Sequence, residues 1–219
     1  MSTPIVGTTE KVASAIRNGI RNGQFVPGQH LVEAELTLRL QISRSSLREA
    51  LRHLSGDGIV AIHRYRGAHI CRLSRRETRD LLEVLEQLVR LAARLAATSP
   101  HEKRNLMDAA LEAAQRHDED GDHRSYLAVR QAFYDCLFEV AGNKELPRVT
   151  PLRRADLFRA QIRPYQSWEQ QQAHTAGYCL IAQTVIAGDV EASEKAVAAL
   201  FAATHAMLSV LPDIAFGHD

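Results

Sequence analysis

Cysteine is scarce. The three in 219 residues, Cys71, Cys136 and Cys179, are far apart, odd in number and without Cys-x-x-Cys spacing, which excludes a disulfide framework and a zinc ribbon. Buried thiols in a reducing compartment are expected. Aromatic residues make up only 5% of the chain, so the core is expected to be aliphatic and helical rather than a β-sandwich. No uncharged stretch approaches the roughly 18 to 20 continuous apolar residues of a membrane span, so no membrane partner is expected. Met1 to Glu10 has no basic segment followed by an apolar one, so no signal peptide is read and a cytoplasmic location is expected. Net charge is nearly missing as well, at +1, which for a small domain argues against a nucleic-acid partner. What is present, 45% hydrophobic and 24% charged residues, excludes disorder as the dominant state and allows one large or two small cores.

The near-neutral total conceals a split. Residues 1–73 carry ten Lys and Arg against five Asp and Glu, a balance of +5, and residues 74–219 carry 17 against 21, a balance of −4. In the basic part, Val12, Ala15, Ile16 and Ile20 recur at helical spacing over 10–22, ahead of Gly23. A second short helix is expected over 32–40, with Ala34, Leu36 and Leu40 on its buried side. After a tight connection, Ser43 is placed to cap a third helix over 44–54. Two β-prone runs, 59–62 and 68–71, then flank the basic turn Arg64-Tyr65-Arg66-Gly67 and read as a hairpin. Ser74-x-x-Glu77 is a capping box that opens a long helix and marks the boundary.

No further strand is expected. Helices are expected at 75–98, 101–117, 122–141, 144–163, 167–187 and 190–211. Leu81, Leu85, Leu88, Ala92 and Leu95 form a stripe on the first, and Val190, Val197, Leu200, Thr204, Leu208 and Leu211 one on the last. Such stripes need partners, which a bundle supplies. The stretch from His117 through Asp118, Glu119, Asp120 and Asp122 to His123 reads as a solvated polar link. Trp168 with Pro164 and Tyr165 reads as a packed junction, and Arg153 with Arg154 as a surface or interface pair.

On the third helix, Leu47, Ala50, Leu51 and Leu54 share one face, while Arg44, Ser45, Arg48 and Arg52 share the other, which has no carboxylate. Glu49 falls on the flank, where pairing with a neighbouring Arg is expected. A basic helix face preceded by helix and turn is the arrangement that enters the major groove, where Arg bridges guanine O6 and N7. Ser43 and the first free N–H groups suit a phosphate, and Arg64, Arg66 and Gly67 suit a wing against the backbone or minor groove.

These residues, from Val12 through Pro27-Gly28-Gln29-His30-Leu31, Glu33-Ala34-Glu35-Leu36, Ile42-Ser43-Arg44-Ser45-Ser46-Leu47-Arg48-Glu49-Ala50-Leu51 and Gly58-Ile59-Val60 to Arg66-Gly67-Ala68, resemble the GntR family of bacterial transcription regulators. The branch is the FadR type with an all-helical FCD effector domain. Ser45-Ser46 stands where the family usually has Thr-Pro or Thr-Thr, which keeps a hydroxyl at the first position. The resemblance implies a homodimer on a palindromic operator, with Ser43, Arg44, Ser45, Arg48, Arg64 and Gly67 at positions that touch DNA in relatives.

In the second part, Leu88, Ala92-Ala93, Phe133, Ala141-Gly142-Asn143 and Ala187-Gly188-Asp189 resemble the FCD domain. Many such domains hold a divalent metal with one Asp and three His. The matching positions here are Arg130, Tyr134, Tyr178 and Leu200, and an arginine repels a cation while a leucine is no ligand. No metal and no cofactor are expected. Two readings stay open: Arg130, Tyr134, Tyr178 and His174, one turn before Tyr178, bind an anionic effector such as a carboxylate directly, or these larger side chains fill the vacated space. A displaced metal site using His174 and His205 is the alternative to two ordinary histidines.

No Gly-x-Ser-x-Gly, Gly-rich phosphate loop or His-Glu-x-x-His is present, so no enzyme is expected. The expectation is a mainly α protein, with a winged helix-turn-helix at 1–73 and an all-helical effector-binding and dimerisation domain at 74–219. Its function is then a transcriptional regulator, expected to be a repressor, modulated by a small effector. The alternatives are an architectural DNA-binding dimer without an effector and a helical-bundle enzyme acting on a small anion.

Overall fold

A computed structural model describes residues 7–120 and 123–218, without the side chains of 118–120 and 123–125. The chain forms two compact units. One comprises the chain up to Arg76 together with Leu152–Pro164 and the segment from Asp213 on; the other comprises Glu77–Pro151 and Tyr165–Pro212. The first unit is therefore built from three separate stretches of sequence, where a single stretch ending at residue 73 is the expectation.

In the first unit, helix α1 spans Thr8–Arg21 and buries Val12, Ala13, Ile16 and Ile20. Gly19 lies inside it because the Phe25 ring packs there: a Cβ would lie 2.3 Å from a ring carbon. Helix α2, Glu33–Leu40, buries only Leu36; Ala34 is exposed and Leu40 half-buried, so the core face of α2 is narrower than its apolar residues suggest. It ends on Gln41 at φ 54° and ψ 48°, the left-handed conformation that turns the chain into helix α3, Arg44–Gly56. Ser43 caps α3 by accepting a bond from Ser46 N at 3.1 Å. Ser43→Ala is expected to lower the unfolding free energy by about 1 kcal/mol in urea titrations of the DNA-free protein.

Strands β1 (His30–Leu31), β2 (Val60–His63) and β3 (Gly67–Ile70) form an antiparallel sheet in the order β1-β3-β2. The hairpin is as expected, while β1 carries no pattern of its own. Two residues have no detectable period, and β1 exists by pairing His30 with His69 and Leu31 with Ala68. Leu31, Val60, Ala68 and Ile70 on one face of the sheet are buried, as are Leu47, Leu51 and Leu54 of α3, which packs against β2.

Helix α9, Leu152–Ile162, belongs to this unit. The expectation of one helix over 144–163 is corrected here: Pro151 splits it, because proline lacks an N–H and pushes Thr150 into extended backbone, at ψ 121°. What precedes is the short α8, Leu146–Val149. Arg153 reaches Asp57 at 2.6 Å and Asp156 reaches Arg21 at 2.9 Å, while Arg154 lies over Gly58. The pair Arg153 and Arg154 thus grips the winged-helix module. Buried Gln161 donates from Nε2 to Leu73 O at 2.8 Å and to Ala215 O at 2.9 Å, and accepts from Leu73 N at 2.8 Å.

The second unit holds α4 (Arg75–Ala97, from Glu77 on), α5 (His101–Arg104), α6 (Asp108–Asp120), α7 (His123–Ala141), α8, α10 (Trp168–Ala187) and α11 (Val190–Val210). A 3₁₀ turn at Asn105–Met107 interrupts the helix expected over 101–117. Helix α6 packs on α7, α10 on α11, and α10 also on α6 and α7. On α4 the deepest residues are Thr78, Val89, Ala92, Ala93 and Ala96, with Leu82, Leu85 and Leu81 also buried, whereas Leu88 and Leu95 are half-buried at the flank. Hydrophobicity alone does not choose between adjacent leucines; the neighbouring helices do. The stripe on α11 is buried as expected from Val197 to Leu211, with Val190 half-buried. His117 corrects a second expectation: it is fully buried in α6, its ring 4.8 Å from Trp168 and 6.0 Å from Tyr126. The rest of the polar link, Asp118 to His123, lies outside the described side chains.

Candidate nucleic-acid interface and buried arginine cluster

The amino-terminal end of α3 is a patch of hydroxyls and cations. Ser43 Oγ lies 2.8 Å from Ser45 Oγ and 2.9 Å from Ser46 Oγ, so the three serines are held at the positive end of the helix. Ser43, Arg44, Ser45, Arg48 and Arg52 are exposed, and the opposite face, Leu47, Ala50, Leu51 and Leu54, is buried. Helix N–H groups with no partner in the first turn, hydroxyls and guanidinium groups together form an anion-binding surface.

Arg48 Nε sits 3.0 Å from Glu33 Oε2 on α2. The expectation that Glu49 pairs with an arginine is corrected: Glu49 accepts from the Thr9 hydroxyl at 3.2 Å, because its side chain leaves α3 toward α1. On the wing, Arg64, Tyr65, Arg66 and Gly67 are exposed; Tyr65 is 89% exposed, with the Arg64 guanidinium carbon 5.6 Å from its ring centre. Gly67 has φ +69°, a conformation that admits glycine without strain.

In the second unit, Arg130 and Tyr134 of α7 meet His174 and Tyr178 of α10. Arg130, Tyr134 and Tyr178 are buried, at 3%, 2% and 2% exposure, and the Arg130 guanidinium carbon lies 4.7 Å from the Tyr134 ring centre. The Tyr134 and Tyr178 rings are 5.9 Å apart, and Phe133 lies 4.5 Å from Tyr178. His174 bridges outward, with Nδ1 3.2 Å from the Tyr126 hydroxyl and Nε2 3.3 Å from the Thr204 hydroxyl. It also lines an apolar groove of about 340 Å³ between α10 and α11. The Arg130 guanidinium, buried and stacked over the Tyr134 ring, offers donors of the kind that bind a compact anion.

Residues 8–70 match the family model of bacterial regulatory proteins, gntR family, and residues 76–203, more than half of the chain, match that of the FCD domain. The chain belongs to the GntR family of transcriptional regulators, with an FCD domain. An HTH-type transcriptional regulator of the TAR-I ttuE-ttuC' intergenic region in Agrobacterium vitis is 32% identical over 149 residues, 64% of this chain and 85% of that one. The HTH-type transcriptional repressor RspR of Escherichia coli (strain K12) is 24% identical over 140 residues, 64% of this chain; the regulator spans 57% of that relative's length. E. coli McbR/YncC shares the fold, with a TM-score of 0.81 over 94% of this chain and 98% of that chain at 19% identity.

The regulator is not an enzyme, its families and relatives being transcriptional regulators. The Cys136 thiol is pushed up by burial and next by Asp135, which makes it a poorer nucleophile at neutral pH. Among the described residues no group of three or more His, Cys, Asp or Glu is arranged to hold a metal ion. Also among the described residues, no helix is long and apolar enough to cross a membrane. Every residue expected to meet DNA is exposed on the first unit, and the four expected to meet an effector adjoin one another in the second. Sequence reading missed Glu33 as the partner of Arg48 and Gln161 as a clamp on the linker. Neither carries a local signal, since their partners lie 15 and 54 to 88 positions away.

Proposed function

We propose that the regulator is a cytoplasmic repressor that binds a palindromic operator as a homodimer and changes its affinity when a small anionic effector binds beside Arg130. Residues 1–73 then read DNA, and residues 74–219 dimerise and sense, with α9 lent to the first unit. The carrying observation is the serine-capped end of α3, with Arg44 and Arg48 exposed on the face opposite the core. Two such helices would address half-sites about 34 Å apart, one turn of DNA. The name of RspR, a repressor, supports the direction of regulation.

For the effector, the support is a guanidinium buried at 3% exposure and stacked over Tyr134, whose ring adjoins those of Tyr178 and Phe133. The test is a random-duplex selection by the full-length protein, followed by operator titration with and without a panel of small mono- and dicarboxylates. A true effector at one hundred times its Kd is expected to raise unfolding free energy by about 2.7 kcal/mol and to shift operator affinity. Arg130→Met is expected to abolish both responses while retaining DNA binding. If no carboxylate stabilises the protein or alters operator affinity, the rings merely fill the core, and the reading of an architectural dimer replaces this one.

A further inference from the structure

The sheet face opposite the helical core carries three histidines, one from each strand. His30 on β1 is the direct cross-strand partner of His69 on β3, and His63 on β2 stands opposite Gly67, two residues along β3 from His69 and so on the same face. The ring centres of His30 and His69 are 4.8 Å apart and those of His63 and His69 5.9 Å apart. Gly67 makes this possible: a Cβ there would sit 2.8 Å from His30 Nε2, so the absence of a side chain lets His30 lean over the base of the wing.

We propose that His30, His63 and His69 form a proton-linked subsite for a DNA phosphate at the base of the wing, beside Arg64 and Arg66. This rests on the DNA-binding reading of the regulator. An imidazole held beside other cationic groups resists protonation, because the proton it takes up is repelled by their charge. The groups acting on His69 are His30 from β1, His63 from β2 and Arg66 from the turn, each cationic when charged, and the backbone of Gly67. Burial first, and then these three cations, hold the His69 imidazolium below its ordinary range; only the Gly67 backbone acts the other way. No carboxylate is among the groups acting on His69, so an anion from outside the chain would favour its charged form.

A phosphodiester supplies it. His63 is next to Arg64, and Arg66 acts on His69, so a backbone phosphate drawn to the wing cations comes within reach of the imidazoles. A phosphate on this face raises the titration midpoint of the histidines it touches, and by linkage DNA then binds more tightly as pH falls. A rise of one unit in one histidine corresponds to a gain in affinity of at most about tenfold, approached as pH falls below its midpoint in the free protein. With no metal-binding geometry in the triad, proton uptake rather than metal capture is the chemistry these rings offer.

The test measures affinity for a duplex chosen from a random pool by the parent protein, at pH 6 and pH 8, at constant ionic strength and with EDTA present. The parent is expected to bind about tenfold more tightly at pH 6. His69→Gln and His30→Gln are each expected to reduce that ratio to about threefold or less, while His53→Gln, on α3, retains it. Imidazole NMR signals of His69 are expected to titrate at higher pH in the complex than in the free protein, a readout independent of whether either variant folds. Equal parental affinity at both pH values, an unchanged ratio in folded His69→Gln, an unmoved His69 titration, or loss of the ratio in His53→Gln overturns the subsite. A folded parent that enriches no duplex at either pH overturns the DNA-binding reading itself.

Discussion

Replacing Arg44 and Arg48 together by alanine is expected to weaken binding to a parent-selected operator by roughly 30-fold to 10⁴-fold, from about 1 to 3 kcal/mol per arginine that reads a base. The loss is expected without unfolding. Both residues are exposed, and the ion pair between Arg48 and Glu33, 63% and 35% exposed on its two side chains, is worth no more than about 1 kcal/mol in water. Arg44 is expected to account for the larger share. Among the described residues it has no ion pair to give up, whereas Arg48 must exchange Glu33 for the DNA. Fluorescence anisotropy on the selected duplex measures the loss, and the salt dependence separates two causes. Lost phosphate contacts lower the slope of log affinity against log salt by about 0.9 each, whereas lost guanine contacts leave it in place and flatten sequence preference. Parental affinity in the double variant, with melting unchanged, would refute the assignment of α3.

The second large effect concerns stability. Gln161→Leu keeps the side-chain volume close to native but removes an amide that serves three backbone groups in a buried place. Leu73 O keeps the bond from Gly217 N at 2.9 Å, so Leu73 N and Ala215 O are the groups left unsatisfied. Each buried orphan costs about 1 to 3 kcal/mol, which puts the loss near 3 kcal/mol and the fall in Tm near 6 to 12 °C for a chain of this size. The neighbouring contacts of the carboxy-terminal segment, Arg75 with Asp213 at 2.9 Å and over the Phe216 ring at 4.4 Å, Arg72 with Ile214 O, and Gly217 N with Leu73 O, then hold it without the amide. Thermal unfolding and limited proteolysis after Pro212 give the readouts. A loss below about 1 kcal/mol would show that water replaces the amide and that the clamp is dispensable.

The legible features of this chain are those that one segment decides. The cap at Ser43 and the division of α3 into a leucine face and an arginine face follow from spacing along a single helix, and the structure shows both. So does the wing, whose Gly67 marks a backbone turn that other residues resist. Features that depend on a second segment were illegible or misread. Strand β1 has two residues and no period. His117 sits in a polar stretch, yet Trp168, some 50 positions on, encloses it. Glu49 faces Thr9 rather than an arginine, and Leu88 yields the core to Val89.

The amino-acid sequence by itself determined the family and the basic, exposed face of α3, because local periodicity, caps and charge are written in consecutive residues. Only the tertiary structure decided that residues 152–164 and the segment from Asp213 pack with the winged helix, that Arg130 is buried over the Tyr134 ring, and that His30, His63 and His69 meet on one sheet face. The physical reason is the same in each case. Burial and cross-strand pairing are properties of what a side chain meets, and those partners are brought from distant parts of the chain by the packing of the core.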